Sequence, residues 1–469
     1  MKLGVVVALG FAAWSMHAAD PPIWRGPISG GVTDTSAWVK AKLRYRGNSA
    51  RLLVSTNVNL SQPVWFGPRT AELQRGNMVE FAATNLQPDT QYFYALEVTN
   101  SLQEKYRGAF RTFPPQDRPA SFNFAFASCA QTGSENPVFD TIRQLHPLFY
   151  MNVGDFHYEN IRSNAFVKFR MAYDEVLLST KQSLLYRSLP LISIWDDHDF
   201  AGNNSNRGAP SHFAARSVYE EYIPHYEMPA GKGDVPIYQS FTVGRVKFIL
   251  TDLRSERDEV GMHDGPDKSM LGARQKAWFK NELLAAKGKY PLIFWVSSVP
   301  WIGNSGVNYY PIRGTVTGYI HHRNAWQFRR DPATAEDNRS VFSDDDFWGA
   351  FTFERREIAN FIRDNQIAGV CILHGDAHML AADDGSNSDY ADGGGARMAV
   401  MCGAPLDQSP SIKGGPYSQG VYKCRKGEGC FGYVQVRDQG SRIDVQFSGR
   451  NYLNAEKIAL KFTVPAERK

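Results

Sequence analysis

The sequence predicts a protein with two structured regions, an all-β sandwich followed by an α/β region in which helices cover a mixed or parallel sheet. Two observations lead to this prediction. Short strand patterns separated by Gly, Asn, Pro and Asp turns fill residues 21–112 without intervening helices, which is typical of a β-sandwich. From residue 121 onward, strand patterns alternate with helical ones, which indicates a sheet covered by helices.

Length and composition agree with a globular protein of two or three domains. The chain has 469 residues, of which 43% are hydrophobic and 21% charged, enough to build a sizeable core. Its net charge is only +4, and the charged residues form no long runs. Bulk charge therefore gives no support to nucleic-acid binding or to attachment at a membrane surface.

The first residues predict a secretory signal peptide at positions 1–19. A basic start precedes an apolar stretch from Leu3 to about Met16, and small residues follow at Ala18 and Ala19. The stretch is too short to span a bilayer. Since no twin arginine precedes it, the general Sec-type route to the periplasm or the medium is expected. The alternative is a buried N-terminal segment.

Residues 20–115 are predicted to form the sandwich domain. Within them, LQPDTQYFYALEV resembles the tyrosine-corner strand of fibronectin type III domains. Residues with metal-ligating side chains are few here, which favours a scaffold or a lid over a catalytic unit. The Pro-rich stretch TFPPQDRPA at 112–120 is expected to be a linker to a second domain at 121–469.

The second region contains two clear helical patterns and a strand-rich tail. One helix is predicted at 272–288, with one face formed by Gln275, Trp278, Phe279, Leu283 and Leu284. Another is FERREIANFIRDNQ, with Ile358, Phe361 and Ile362 facing inward. From 432 to 464 the chain returns to strand patterns, which predicts an antiparallel sheet edge.

Five apolar, strand-like runs end in clusters of acidic, Cys, Tyr or His side chains. They are FNFAFASCAQ (122–131), FYMNVGDFHY (149–158), LISIWDDHDF (191–200), FILTDLR (248–254) and VCILHGDAH (370–378). In an open α/β sheet, ligands bind beyond the carboxyl ends of the strands. The five ends therefore predict one polynuclear metal site.

Asp155, Tyr158 and Cys129 are candidate ligands of a strongly Lewis-acidic ion. Asp155 and Tyr158 are three residues apart after a strand, so a tight turn can bring both to one centre. A carboxylate can bridge two cations, whereas a phenolate favours an ion such as ferric iron, and a thiolate suits the same ion. The alternatives are a β-turn with a packed tyrosine and a buried, inert cysteine.

The sequence WDDHD, from Trp195 to Asp199, gives the sharpest signal. Four consecutive titratable residues after an apolar run are costly to bury unless cations or partners neutralise them; the alternative is a solvated acidic turn. Asp197 is predicted to bind the second metal, and His198 to contact the substrate or protonate its leaving group. Asn203 offers a neutral carbonyl oxygen suited to calcium.

In HGDAH, Asp376 and His378 are two residues apart, a spacing that places side chains on opposite faces of a strand. Both can face one site if the backbone turns there, which Gly375 permits. His378 is then predicted to share the ion of Tyr158, and Asp376 to bind the second metal. A loop with a surface histidine is the alternative.

Arg254 and Arg257 follow another of the strand ends. An arginine fork matches the geometry of a phosphate group, so both are predicted to bind the substrate, together with Asp196, and Arg254 is also predicted to be catalytic, as is His198. A salt bridge from Arg254 to a nearby carboxylate is an equally weighted alternative. Elsewhere, Cys424 and Cys430 bracket a polar loop and could close a small disulfide, which the sequence leaves open.

These motifs together resemble the PhoD-type alkaline phosphatases, part of the metallophosphatase group that includes purple acid phosphatases. The matching stretches, in the family's order, are GPISGGVTDTSAWVKA, ASCAQ, GDFHY, WDDHD with Asn203, TDLRSER, LGARQKAWF, FERREI and HGDAH. The resemblance implies an α/β core of the α+β type, with helices flanking two mixed β-sheets, preceded by an all-β fibronectin III-like sandwich domain.

The resemblance also implies a centre of Fe³⁺ and Ca²⁺. By motif match, iron falls to Cys129, Asp155, Tyr158 and His378, and calcium to Asp155, Asp197, Asn203 and Asp376. The chain departs from the family at Asp199, where glutamate is usual. An additional residue before the asparagines makes Asn203 and Asn204 competing ligands. The strand VSSVPW lacks the histidine that purple acid phosphatases carry after it, which favours calcium over zinc.

The function implied is an exported phosphoesterase that hydrolyses phosphomonoesters, phosphodiesters or both at neutral to alkaline pH. A metal-bound hydroxide would attack phosphorus in line, and calcium or His198 would neutralise the leaving oxygen. Small phosphoesters are the expected partners, since no nucleic-acid-binding signature is present. The alternative is a non-catalytic protein that binds phosphate or a glycan phosphate on the same fold.

Overall fold

Two mixed β-sheets packed face to face form the centre of the protein. The computed structural model describes residues 20–303, 307–312, 315–322, 325–328 and 346–466, so the predicted signal peptide lies outside the described residues. Within those ranges, no helix has the length and apolar character needed to cross a membrane.

The first sheet has nine strands and the second has seven. In spatial order, the first consists of β24 (Glu456–Pro465), β23 (Arg442–Asn451), β22 (Cys430–Asp438), β9 (Phe122–Ala127), β10 (Tyr150–Val153), β11 (Leu191–Ile194), β1 (Ile23–Gly30), β2 (Ala37–Leu43) and β5 (Met78–Ala83). The second consists of β12 (Gln239–Val243), β13 (Val246–Leu250), β14 (Leu292–Val296), β18 (Val370–His374), β20 (Ala399–Gly403), β19 (Leu380–Asp383) and β21 (Val421–Tyr422). The four strands β13, β14, β18 and β20 run parallel to one another.

Two smaller sheets and seven α-helices complete the described part of the chain. One sheet contains β4 (Val64–Thr70), β3 (Ser49–Ser55), β6 (Gln91–Val98), β7 (Ser101–Leu102) and β8 (Gly108–Arg111). The other contains β15 (Val307–Ile312), β16 (Thr315–His322) and β17 (Ala325–Phe328). The helices are α1 (Val138–Gln144), α2 (Phe166–Leu178), α3 (Thr180–Ser188), α4 (Asp197–Phe200), α5 (His212–Tyr222), α6 (Gly272–Ala286) and α7 (Thr352–Asp364).

Helices cover the outer faces of both large sheets, as predicted. Helices α1, α2 and α3 contact strands of the first sheet, whereas α6 contacts β13 of the second sheet and α7. Side chains of β13 alternate accordingly: Phe248 joins the cluster between the sheets, and Ile249 joins the cluster beneath α6 and α7. The two mixed sheets flanked by helices are thereby confirmed.

Aromatic side chains fill the space between the two sheets. The ring of Phe124 on β9 stacks on Phe149 with centroids 5.0 Å apart. It also meets the edges of Phe248 at 5.5 Å and Phe294 at 5.4 Å, both from the second sheet. All four rings are fully buried, and edge-to-face pairs of this kind add to the free energy gained by burial. This cluster holds the two sheets in a fixed relation.

The N-terminal strands continue the first sheet. Strand β1 lies parallel to β11, with Gly30 opposite Leu191, and a Cβ at Gly30 would lie 2.3 Å from the carbonyl oxygen of Leu191. The hydroxyl of Tyr92 accepts a hydrogen bond of 2.8 Å from the backbone N–H of Gln87, a contact of the tyrosine-corner type. Strands β1, β2 and β5 thus share one sheet with strands that follow residue 115, whereas β3, β4, β6, β7 and β8 form a separate sheet. The predicted domain boundary stays a prediction.

Several local predictions can be scored against the structure. The tail forms β22, β23 and β24, an antiparallel edge as expected, and Cys424 and Cys430 form a disulfide. Helix α6 buries Phe279 and Leu283. The inclusion of Leu284 in the buried face is wrong, because this side chain is 42% exposed and lies 100° around the helix from Leu283.

Truncation of Phe124 tests the inter-sheet cluster. We expect Phe124→Ala to lower the free energy of unfolding by about 3–5 kcal/mol, because it removes a buried ring and leaves a cavity. Phe213→Ala is the matched control: its ring is 40% exposed, so a loss below about 1 kcal/mol is expected. Chemical denaturation followed by tryptophan fluorescence measures both, and equal losses would contradict the assignment of Phe124 to the core.

Candidate metal centre

The carboxyl ends of strands from both large sheets meet at one edge of the core. The indole N–H of Trp195, after β11, donates to Asp252 Oδ1 after β13 at 2.9 Å. The backbone N–H of Asp376, after β18, donates to Ser128 Oγ after β9 at 3.2 Å. The predicted single site therefore lies between two sheets.

Two glycines allow these strand ends to approach closely. A Cβ at Gly154 would lie 2.5 Å from Cβ of Asp196, and a Cβ at Gly375 would lie 2.4 Å from Ser128 Oγ. Any side chain at either position would force the strand ends apart. The glycine in GDFHY and the glycine in HGDAH thus serve close packing at the site.

Four of the predicted ligands have a left-handed backbone. The φ angles are 62° at Cys129, 54° at Asp155, 53° at Asp376 and 52° at His378. For residues other than glycine this conformation costs on the order of 1–3 kcal/mol each and tends to occur at functional sites. The sharp turn expected at Gly375 is made by the ligands themselves, and it directs Asp376 and His378 to the same edge.

The first donor group contains the four residues predicted to bind iron. One donor atom each of Cys129, Asp155 and His378 lies within 4.8 Å of the others. The hydroxyl of Tyr158 donates to Asp155 Oδ2 at 2.7 Å and lies 3.0 Å from His378 Nε2. A thiol, a phenol, an imidazole and a carboxylate thus converge on one point.

The imidazole of His378 is held in the orientation that a metal ligand needs. Its Nδ1 lies 2.5 Å from the backbone carbonyl oxygen of Ser409, and a carbonyl can only accept a hydrogen bond. The proton is therefore assigned to Nδ1, which leaves the lone pair on Nε2, the atom that faces Tyr158. Burial lowers the pKa of His378 to about 4, so the neutral ring prevails.

The second donor group shares Asp155 with the first. It contains one donor atom each of Asp155, Asp197 and His198 within 4.8 Å of one another. The backbone N–H of Asn204 donates to Asp197 Oδ2 at 2.6 Å. Asn204 is half-buried, whereas Asn203 is exposed, so of the two competing asparagines it is Asn204 that lies beside Asp197.

His198 packs against the first group and has a defined tautomer. Its ring centroid lies 4.1 Å from that of Tyr158. Asn160 donates through Nδ2 to the Tyr158 carbonyl oxygen, so Asn160 Oδ1 accepts from His198 Nδ1 at 2.7 Å. Burial lowers the pKa of His198, so the neutral ring keeps a lone pair on Nε2. That atom can bind a metal ion or accept a proton.

Asp376 lies apart from both groups and has its own positively charged neighbour. Lys413 Nζ donates to Asp376 Oδ1 at 2.8 Å. The Asp376 carboxylate is buried, and its remaining oxygen, Oδ2, has no hydrogen-bond partner within the described ranges. That oxygen is the atom with which it could bind a second cation.

Arg254 and Arg257 form ion pairs within the protein. Arg254 Nε lies 2.6 Å from Asp196 Oδ1, and one of its terminal nitrogens lies 2.7 Å from Asp346 Oδ2. Arg257 pairs with Asp346 as well, and both guanidinium groups are 0% exposed. Ser298 Oγ also donates to Asp196 Oδ1, at 2.7 Å. The salt-bridge alternative is the arrangement found, and both guanidinium groups are buried in it.

The electrostatics of the site indicate a need for cations. Burial, with the nearby charge of Asp197, raises the pKa of Asp155 well above its usual range. Burial raises the pKa of Asp376 to about 8. Burial is the largest single influence on Asp197 and acts to raise its pKa, but the positive charges of Arg254 and Lys413, with His198 and the backbone N–H of Asn204, together outweigh burial and lower the pKa below its usual range. Bound cations would offset the cost of ionising Asp155 and Asp376, so the residues fit a metal centre.

A segment at residues 406–413 supports the site and was missed from the sequence. It runs past the strand ends and contacts the turns that carry the ligands. Leu406 N donates to Ser128 O at 2.9 Å, Asp407 Oδ1 accepts from Gln131 N at 2.7 Å, Ser411 N donates to His378 O at 3.2 Å, and Ser409 and Lys413 make the contacts given above. Gln131 and Asp407 are 276 positions apart, and even His378 and Ser409 are 31 apart. No spacing rule connects residues so far apart, so the sequence held no signal for these contacts.

Asp199, the departure from the family pattern, has a structural position. Its Oδ1 accepts from the backbone N–H of Asp196 at 2.7 Å and its Oδ2 from that of Phe156 at 3.0 Å. It closes a capping box at the start of α4. The side chain thereby ties the turn after β10 to the turn after β11, which brings Asp155 and Asp197 together.

Known proteins resemble this chain in sequence and in fold. "Alkaline phosphatase D" of Bacillus subtilis (strain 168) is 22% identical over 445 residues, which cover 82% of this chain and 70% of the relative. A solved structure of PhoD superposes with a TM-score of 0.72 at 17% identity, covering 98% of this chain and 92% of that chain. A purple acid phosphatase from yellow lupin (Lupinus luteus) seeds gives a TM-score of 0.56 at 12% identity, covering 94% and 74% of the two chains.

The two structures show that the fold is shared with PhoD and with purple acid phosphatases. The sequence model of the PhoD-like phosphatase family matches residues 124–440, a span that contains every predicted ligand and more than half of the chain. The family implies bound metal ions, and the two donor groups offer places for them. The chain therefore belongs to the PhoD-like phosphatase family and is a hydrolase of phosphoric esters.

Proposed function

We propose that the protein is an exported phosphoesterase that hydrolyses phosphomonoesters, phosphodiesters or both with a centre of Fe³⁺ and Ca²⁺. The observation that carries this proposal is the sharing of Asp155 by two donor groups. A bridging carboxylate is the arrangement by which a protein holds two cations close together at a phosphoryl group. The alternative of a non-catalytic binding protein is set aside, because two donor groups are present and the family is one of hydrolases.

The donor types support iron in the first group. Cys129 and Tyr158 would bind as thiolate and phenolate, and burial raises the pKa of both side chains well above their usual ranges. A strongly Lewis-acidic ion is needed to deprotonate them at neutral pH. Asp155 and His378 would complete this set.

Oxygen donors support calcium at the second position. We assign Asp155, Asp197 and Asp376 to it, and we favour Asn204 over Asn203 because Asn204 lies beside Asp197. Carboxylate and amide oxygens are the ligands that calcium prefers. His198 is within reach of the same group, so it could act either as a ligand or as a proton carrier. The variant His198→Ala distinguishes these two roles.

The chain's own residues would orient the substrate and move a proton. The ions, when bound, would supply Lewis acidity and a nucleophile derived from water near neutral pH. His198 Nε2 is the basic atom of a neutral ring that Asn160 and Tyr158 hold in place. It would take up a proton at the site and return it to the leaving oxygen. Arg254 acts as a positioning residue, because it fixes Asp196 at the end of β11.

Removal of the shared carboxylate tests the proposal directly. We expect Asp155→Ala and Asp197→Ala to lower kcat for p-nitrophenyl phosphate and its bis ester by at least about 10³-fold, because the first removes a ligand shared by both ions and the second removes a ligand of the second ion. Metal content is measured on the same preparations. Asp267→Ala, at an exposed aspartate, should leave turnover unchanged. Full activity in either site variant would contradict the proposal.

Tyr158→Phe tests the assignment of iron. The iron-loaded wild type should show a visible absorption band from tyrosinate-to-iron charge transfer, and Tyr158→Phe should lose it because the phenolate oxygen is gone. Tyr45→Phe, at a residue 54% exposed, is expected to keep the band. A band that survives in Tyr158→Phe would show that another residue supplies the phenolate.

His198→Ala separates the two roles open to His198. If it carries a proton, kcat should fall by about 10²–10⁴-fold while the iron and calcium content stays at the wild-type value. His263→Ala, at an exposed histidine, is the control and should change neither quantity. Loss of one metal equivalent in His198→Ala would instead identify this residue as a ligand.

A further inference from the structure

We propose that Lys413 contacts the phosphoryl group of the substrate and gives the site a preference for phosphomonoesters over phosphodiesters. The inference rests on the proposed phosphoesterase function, which leaves the choice between these two substrate classes open. The inference gives a substrate-binding role to the segment at residues 406–413, which none of the motifs found in the sequence includes. The argument uses the position of Lys413, the state of Arg254 and the charges of the two classes of ester.

Lys413 places a positive charge close enough to both donor groups to act on a member of each. Its ammonium lies 2.8 Å from Asp376 Oδ1, and its charge acts on Asp197, which belongs to the second group, and on His378, which belongs to the first. The side chain is 16% exposed, whereas that of Asp376 is 4% exposed. The Lys413 side chain is therefore more accessible to solvent than its partner.

The backbone before Lys413 is fixed to the ligand turn. Ser411 donates from its backbone N–H to the carbonyl oxygen of His378 at 3.2 Å and from Oγ to that of Ala377 at 3.0 Å. The ion pair with Asp376 then orients the ammonium group of Lys413. A long, flexible side chain becomes a defined part of the site when both its backbone and its charge are anchored in this way.

Arg254 is less available to a substrate than Lys413. Two cationic side chains, Arg254 and Lys413, act on Asp197. Arg254 is fully buried and paired with Asp196 and Asp346, so its charge is neutralised by carboxylates within the protein. Of these two side chains, Lys413 is the one that is partly exposed, so we infer that it is the one that contacts a bound ester.

The chemistry of an ammonium group explains the expected preference. A lysine ammonium is a compact charge with three N–H donors, so donation to Asp376 is compatible with donation to a phosphoryl oxygen. A phosphomonoester carries roughly −1.5 to −2 charges near neutral pH, whereas a diester carries about one. An added positive charge in a partly desolvated site therefore attracts the monoester more strongly.

The test compares both esters in variants of Lys413. For Lys413→Met, we expect kcat/KM for p-nitrophenyl phosphate to fall by about 10–100-fold and that for bis-p-nitrophenyl phosphate by less than about 3-fold. The inhibition constant of inorganic phosphate should rise by about tenfold or more, with iron and calcium content unchanged. Lys413→Arg, which keeps the charge, should retain most of the preference. Lys426→Met, at an exposed lysine, is the matched control.

Other outcomes would overturn the inference. Equal losses for both esters with reduced metal content would show that Lys413 acts through Asp376 alone. An unchanged ratio of the two kcat/KM values with tighter calcium binding would show that its ammonium competes for a metal position. If the wild type hydrolyses neither ester, the proposed function fails. The affinity for inorganic phosphate, measured by calorimetry on wild type and Lys413→Met, then decides separately whether Lys413 contacts a phosphoryl group.

Discussion

Buried negative charge at the junction of two sheets is the constraint on which the site depends. The described residues there include Asp155, Asp196, Asp197, Asp346 and Asp376, all nearly inaccessible to solvent. The protein supplies three cations of its own: Arg254 pairs with Asp196 and Asp346, Arg257 pairs with Asp346, and Lys413 pairs with Asp376. Asp155 and Asp197 have no lysine or arginine ion pair within the described ranges, and this remaining charge is what metal ions would neutralise.

The geometry that concentrates this charge has an energetic cost that the rest of the fold offsets. Four ligand residues adopt left-handed backbone conformations, and two glycines let strand ends meet at distances no side chain would allow. The aromatic cluster around Phe124 holds the two sheets together beneath the site. A rigid core of this kind fixes ligand positions before any ion binds, which is the preorganisation that catalysis by metal ions requires.

Much of the fold and the membership of the site could be predicted from the sequence, because both follow from local patterns. Each apolar run became a strand, and Cys129, Asp155, Tyr158 and His378 converge as their residue types suggested. The face of a helix was predicted less well at Leu284, since packing against neighbours, and not periodicity alone, decides which side chains are covered. The choice between Asn203 and Asn204 likewise needed the course of the loop after α4.

The sequence by itself determined which chemical groups stand at the strand ends, because strand period and side-chain type are local properties. Tertiary structure alone decided the partners of those groups. It placed the ends on two sheets, joined β1 to β11, buried Arg254 between two carboxylates, and brought Lys413 to Asp376 across 37 residues of chain. Such pairings depend on how distant segments pack, and a buried charge is neutralised by whichever opposite charge the fold carries to it.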